Sequence, residues 1–236
     1  MAYQAVFKRY EIKYLLTAAQ AEKLKILMRD YMTGDKYGNS TVCNLYLDTP
    51  DFLLVRRSIE KPAYKEKLRL RSYGVADKNA EIFCELKKKY EDVVYKRRLT
   101  LGQGKTESGI DKCLPDTQIG REISYCFKRY ENLAPKVFLS YEREAFYAKN
   151  DGNFRMTFDK NILWRDCDLT LSEGVYGSRI LAEGYALLEV KTAGAMPLWL
   201  VKFLSGNKIY KTSFSKYGTA YMLMLKNTQQ GEEKVA

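Results

Sequence analysis

The sequence predicts an α+β fold: a closed antiparallel β-barrel with a charged interior and helices packed outside. Three observations lead there. First, strand after strand alternates charged with apolar residues, the period of two that sends successive side chains to opposite faces of a sheet. In KEKLRLRSYG, residues 65–74, Lys65, Lys67, Arg69 and Arg71 take every second position, with Leu68 and Leu70 between the last three. Second, the charge is mostly of one sign: 40 Lys and Arg against 29 Asp and Glu, a formal net charge of +11. Two like charges about 5 Å apart repel by roughly 3 kcal/mol at an effective dielectric near 20. Neighbouring cationic strand faces therefore need open water, or a bound polyanion with its metal. Third, helical patterns are available to cover the apolar outer faces, and closure removes exposed strand edges.

The elements follow in order. A strand is expected near residues 6–15, where RYEIKYLL alternates Arg9, Glu11 and Lys13 with Tyr10, Ile12 and Tyr14. Thr17 offers an N-cap to a helix carrying Ala21, Leu24, Leu27, Met28 and Tyr31 at helical spacing. YGNSTVCNLYLDTPD reads as a turn and a strand, and Thr49-Pro50 as an N-cap with Pro at N1 for a short helix, DFLLVRRSI. Strands are expected near 66–74, 80–89 and 92–101, with YGVADKN as a hairpin turn. Among these, Glu85, Lys87 and Lys89 alternate with Cys84 and Leu86. Lys96 and Arg98 share one face of their strand and Tyr95, Arg97 and Leu99 the other; the pattern alone leaves the inward face open.

Residues 102–116 read as loop and 117–132 as a helix with Ile119, Ile123, Phe127 and Tyr130 on one side. Three more strands follow. One sets Tyr141 and Arg143 against Glu142 and Glu144; the next sets Arg155, Thr157 and Asp159 against Phe154, Met156 and Phe158; the last sets Glu189 and Lys191 against Leu188 and Val190. PLWLVKFLSG and SKYGTAYMLMLKN close the chain as helices. One domain over 1–228 is expected, with polar residues 229–236 as a disordered tail.

Several chemistries are excluded by composition. With no histidine, the chain has no Ser-His-Asp or Cys-His catalysis and no His-ligated zinc. Its five cysteines form no CxxC pair, which fits reduced thiols in a cytoplasm better than a disulfide framework. Charge arrives too early in the first residues for a signal peptide, and no apolar run is long enough for a membrane helix. Gly104-Lys105-Thr106 ends like a phosphate-binding loop, but Leu99 stands where the first glycine is required.

The motifs RYEIKYLL, YLDTPDF, KLRLRSYG, CELKKK with YKRR, SYERE, RMTFDKNI, LLEVKT and SFSKYG, in that order, resemble the catalytic domain of VTC-type polyphosphate polymerases, within the CYTH or triphosphate tunnel superfamily. The resemblance implies an antiparallel tunnel that binds triphosphate moieties. It implies transfer of the γ-phosphate of ATP to a growing polyphosphate chain with release of ADP. By resemblance, Lys13, Arg69, Arg71, Lys87, Lys96, Arg143 and Lys216 are the catalytic cations. Arg9, Glu11, Arg98, Tyr141, Arg155, Lys191, Ser213 and Ser215 bind substrate, and Glu189 holds Mn²⁺ or Mg²⁺, hard cations suited to oxygen ligands. The Glu-x-Glu-x-Lys opening of the superfamily's hydrolases reads Arg9-Tyr10-Glu11-Ile12-Lys13 here, as in the polymerase branch. Relatives often carry a basic residue two before the Ser of the late motif; Ser213 stands there in this chain, and Lys211 is the candidate substitute.

The implied partners are ATP and inorganic polyphosphate. A triphosphatase or another nucleotide-processing tunnel enzyme is the alternative within the fold, and a non-catalytic polyphosphate- or nucleic-acid-binding module the alternative outside it. Nucleic acid ranks lower because Tyr10 and Tyr14 are out of phase with Arg9 and Lys13, whereas single-strand binders stack bases on the binding face. Bland readings stand beside these roles: Arg69 and Arg71 as solvated strand charges, Glu189, Glu11 and Asp159 as ion-pair partners, and Tyr141 as packing.

Overall fold

The computed structural model describes residues 10–91, 93–101 and 109–233. Arg9, Gly104-Lys105-Thr106 and the last residues of the expected tail, 234–236, lie outside the described residues. The elements run β1 (Tyr10–Thr17), α1 (Ala18–Met28), β2 (Met32–Asp48), α2 (Leu53–Glu60), β3 (Tyr64–Tyr73), β4 (Phe83–Tyr90) and β5 (Val93–Thr100). A single 3-10 turn at Ile110–Cys113 precedes α3 (Gln118–Arg129), β6 (Ala134–Ala148), β7 (Arg155–Arg165), β8 (Ser178–Arg179) and β9 (Tyr185–Thr192). The chain ends with α4 (Leu198–Gly206), β10 (Lys211–Thr212) and α5 (Lys216–Glu233).

The strands form one antiparallel sheet in the order β10-β1-β9-β7-β6-β2-β3-β4-β5, with β8 added to β7. The sheet curls, but hydrogen bonds among the described residues do not close it, which corrects the expected closed barrel. The edge of β1 that β5 would need is taken by β10, through Lys13 opposite Thr212 and Tyr14 opposite Lys211. Side chains span the seam instead: Lys87 on β4 reaches Glu11 on β1 at 3.4 Å, and Lys67 on β3 reaches Ser215 at 2.8 Å.

The alternation read in the sequence sets the two faces. Outward residues Tyr14, Leu16, Met156, Phe158, Leu188 and Val190 pack under α1 and α4. Outward Cys43, Leu45, Leu68, Leu70, Cys84 and Leu86 pack under α3 and Leu54. Each enclosed aliphatic side chain contributes about 1.5–3 kcal/mol, so these two layers anchor the sheet from outside. Thr17 caps α1 as expected, in a reciprocal box with Gln20 (Gln20 N to Thr17 Oγ1, 3.2 Å; Thr17 N to Gln20 Oε1, 3.0 Å).

Two expectations are corrected. Helix α2 starts three residues beyond Pro50, because Phe52 adopts a left-handed conformation (φ 58°). Its free amides are met mainly by Asp48, which accepts from Leu54 N at 2.8 Å and Val55 N at 3.0 Å, while Thr49 Oγ1 accepts from Leu53 N. Nor do all the helices pack outside. Tyr217 and Ala220 of α5 lie on the concave face against inward Val42, Tyr46, Leu139, Ile162, Trp164 and Leu187. Tyr217 stacks on Tyr46 (4.4 Å between centroids) and donates to Asp48 at 2.8 Å. Part of the interior is therefore apolar, and the charge is confined to the rest. Among the described residues no helix is long and apolar enough to cross a membrane.

Candidate active site

Cross-strand register assembles the inward charges into rows. Across β2–β3–β4–β5 runs Tyr46, Arg69, Glu85 and Arg98; beside it, across β3–β4–β5, run Lys67, Lys87 and Lys96. Across β7–β9–β1 run Arg155, Lys191 and Glu11, then Thr157, Glu189 and Lys13, while Arg143 on β6 faces Asp159 on β7. The open phase on β5 is thereby settled: Lys96 and Arg98 face inward, and Arg97 faces outward to Glu122.

Glu85 is the first hub. Its buried carboxylate accepts from Arg69 (2.7 and 2.9 Å) and Arg98 Nε (2.6 Å), with Lys96 at 2.8 Å and Arg71 at 3.5 Å. Burial alone would raise its pKa, but Arg69, Arg71, Lys96 and Arg98 outweigh burial and hold it far below the carboxylate range. The guanidinium groups are positioned further by neutral partners: Arg69 donates to Tyr46 Oη (2.9 Å), Arg71 to Asn44 Oδ1 (3.0 Å), and Arg98 to Tyr73 Oη (3.1 Å).

Asp159 and Glu189 form the second hub. Arg143 grips Asp159 bidentately at 2.6 and 2.7 Å. Lys216, at the first turn of α5, reaches Asp159 at 2.5 Å and Glu189 at 3.0 Å. Glu189 also sees Arg143 at 3.6 Å and Lys13 at 3.8 Å, and Lys13 donates to Phe214 O at 2.8 Å. Burial opposes the charged form of Glu189, and Lys216, Lys13, Arg143 and Lys191 overcome it. Burial likewise lowers the Lys191 pKa against the pull of Glu189 and Glu11. Glu11, opposed by burial and by Glu189 but drawn by Lys87 first, sits at about 2.

Tyr141 joins the hubs. Its hydroxyl accepts from Arg71 at 3.1 Å, and Arg143 and Lys216 lie over its ring at 5.0 and 4.7 Å. Burial would raise its pKa, but Arg143 and Arg71 lower it. Ser215 Oγ caps α5, accepting from Gly218 N at 3.1 Å and from Lys67 at 2.8 Å. The two hubs thus bring together Lys13, Arg69, Arg71, Lys96, Arg98, Tyr141, Arg143, Glu189 and Lys216, with Lys87, Glu11, Lys191 and Ser215 bordering them. Arg155 and Ser213 are exposed and enter neither hub.

Sequence reasoning assigned no site role to Glu85, Asn44 or Tyr46, and left Lys67 at a wet rim. The available signal was phase: each shares its strand face with a residue already singled out or paired to one. Thr157, between Ala145 and Glu189 in the ladder, is buried with its hydroxyl unpartnered.

A metal held by protein alone does not fit, since the described residues contain no group of three or more His, Cys, Asp and Glu placed to hold one. Glu189, with Glu11 repelling it from the neighbouring row, fits the other mode of Mg²⁺ and Mn²⁺ binding, by one or two carboxylates together with substrate phosphate oxygens.

One solved structure agrees with this architecture. A solved structure from Hippeastrum, described as a candidate adenylyl cyclase with a dominant triphosphatase activity, superposes with a TM-score of 0.52 at 16% identity, covering 90% of this chain and 94% of its own. It shows a shared fold. A Vibrio parahaemolyticus protein described as a candidate adenylate cyclase gives a TM-score of 0.49 at 13% identity, covering 92% of this chain and 98% of its own. No curated protein sequence matches the chain. The VTC domain profile matches residues 8–225, nearly the whole length, and the chain belongs to the VTC domain family.

Proposed function

We propose that this protein is a metal-dependent polyphosphate polymerase using ATP. The observation that carries the reading is the continuity of the cationic track: Arg69, Arg71, Lys96 and Arg98 around Glu85 connect through Tyr141 to Arg143, Lys216 and Lys13 around Asp159 and Glu189. Such a track offers fixed cations both to the triphosphate of ATP and to the end of an acceptor chain. A terminal phosphate oxygen of the acceptor chain attacks Pγ of ATP in line. One P–O–P bond forms, the bond from Pγ to the β,γ-bridging oxygen breaks, and ADP leaves with the electron pair. The attacking oxygen is already ionised, so a site without histidine needs no general base. The fixed cations stabilise the charge that grows on the equatorial and leaving oxygens. Mn²⁺ or Mg²⁺ at Glu189 supplies further charge neutralisation.

Base stacking is disfavoured as the binding mode, because the inward rings Tyr46 and Tyr141 are buried beneath Arg69, Arg143 and Lys216. The free thiols suit a cytoplasmic setting. Incubating the purified protein with ATP and Mn²⁺ tests the reading. Long polyanion with matching ADP supports it; phosphate release without polymer makes the protein a triphosphatase.

A further inference from the structure

The row Lys67, Lys87 and Lys96 sets three ammonium groups abreast on adjacent strands with no carboxylate among them. Like charges directly opposite each other destabilise a sheet, so each must find an anion elsewhere. Lys87 turns across the seam to Glu11 at 3.4 Å, and Lys96 leans to Glu85 at 2.8 Å. Lys65, nearer the start of β3, donates to Ser58 O at 3.2 Å. Lys67 has none of these outlets. Its hydrogen bond goes to the neutral hydroxyl of Ser215, and its charged surroundings are Lys87 on β4, Lys13 on β1, and Lys65 and Arg69 on its own strand. Among the described residues no carboxylate lies within ion-pair distance of it.

We infer that Lys67 is a phosphate-binding group of this site, taking one phosphate unit of a condensed phosphate at the seam between β3, β1 and the cap of α5. The inference rests on the reading of the concave face as a polyphosphate site and adds a residue outside the expected set. An enclosed lysine without a counter-ion is where an arriving anion gains most, since the anion supplies the partner its charged form lacks. A second consequence follows from the same surroundings. Burial first, then Lys87, Lys13, Lys65 and Arg69, push the Lys67 pKa down to about 7. A phosphate beside it reverses that, so near pH 7.5 Lys67 takes up a proton as the anion binds.

Titration calorimetry of the full chain with inorganic tripolyphosphate in EDTA, in Tris and in PIPES at pH 7.5, reads affinity and proton exchange together. Lys67→Met is expected to weaken binding by about tenfold to a hundredfold, the worth of a charged hydrogen bond, and to remove part of the wild-type proton uptake. Lys67→Arg is expected to keep the affinity while losing the same part of the uptake, because a guanidinium stays charged. Met replaces an enclosed lysine that has no counter-ion with an apolar chain, so its melting temperature is expected not to fall. Unchanged affinity and unchanged proton uptake in Lys67→Met, with wild type binding normally, overturn the role of Lys67 alone. Absence of tripolyphosphate binding by wild type overturns the site reading and this inference with it.

Discussion

Glu85→Gln isolates what one buried carboxylate does for the cationic track. The substitution keeps size and one acceptor but removes the negative charge that Arg69, Arg71, Lys96 and Arg98 share. Glu85 is 1% exposed and the Arg71 side chain 6%, so water screens little between them. Lys96 and Arg98, at 44% and 28%, are partly screened and add little to the cost. Breaking a buried pair by removing one partner costs about 3–5 kcal/mol, and retention of the amide acceptor favours about 3. At about 2–4 °C per kcal/mol for a domain of this size, the melting temperature falls by about 6–12 °C. Thermal melts followed by circular dichroism measure this directly. A variant melting within about 2 °C of wild type would show that the guanidinium groups need no shared counter-ion.

Other perturbations separate structure from site. Glu11, Glu85, Asp159 and Glu189 all have folded pKa values below their ordinary ones, Glu11 at about 2. Their stabilisation is therefore present above the unfolded carboxylate values and lost as pH falls through the folded ones, so melts should be level with respect to these groups from pH 7 to about 5 and drop between about 4 and 2; a melting temperature unchanged down to pH 2.5 contradicts this. Thr157→Val removes a buried hydroxyl without a partner, so the ligand-free protein should melt no lower and up to a few degrees higher, at about 1–3 kcal/mol for an unsatisfied group; a clear loss of stability shows that the hydroxyl has a partner. Asp48→Ala removes the cap of α2 and the acceptor for Tyr217 together, and urea titration should show a loss of about 3 kcal/mol; a loss under about 1 kcal/mol contradicts that double role.

The sequence made legible what is local and periodic. Alternation identified the inward faces of β1, β3, β7 and β9, because a strand has only two phases; on β6 both phases carry charge, and Tyr141 and Arg143 were singled out by resemblance. The capping box of α1 was readable because its partners lie three residues apart. Pairing was not readable. Arg69 meets Glu85 and Arg143 meets Asp159 through ladders whose register depends on distant residues. The same limit hid Lys67, whose isolation is a property of three strands and a helix cap together. The place of α5 escaped for another reason: its apolar stripe fits the inner face of a sheet as well as the outer. At α2 the expected cap failed because Phe52 turns left-handed and brings Asp48 to the free amides. The expected closure failed because two residues of β10 occupy the edge of β1.

The central claim is that the inward cations and Glu189 carry polymer synthesis from ATP. It is tested most directly by measuring polyphosphate and ADP from wild type, Arg69→Ala and Glu189→Ala with ATP and Mn²⁺. Wild type should yield polymer with one ADP per phosphate added, and each variant should lose about a hundredfold or more in rate, the scale for removing one preorganised charge-stabilising group. Polymer at the wild-type rate from either variant contradicts the account.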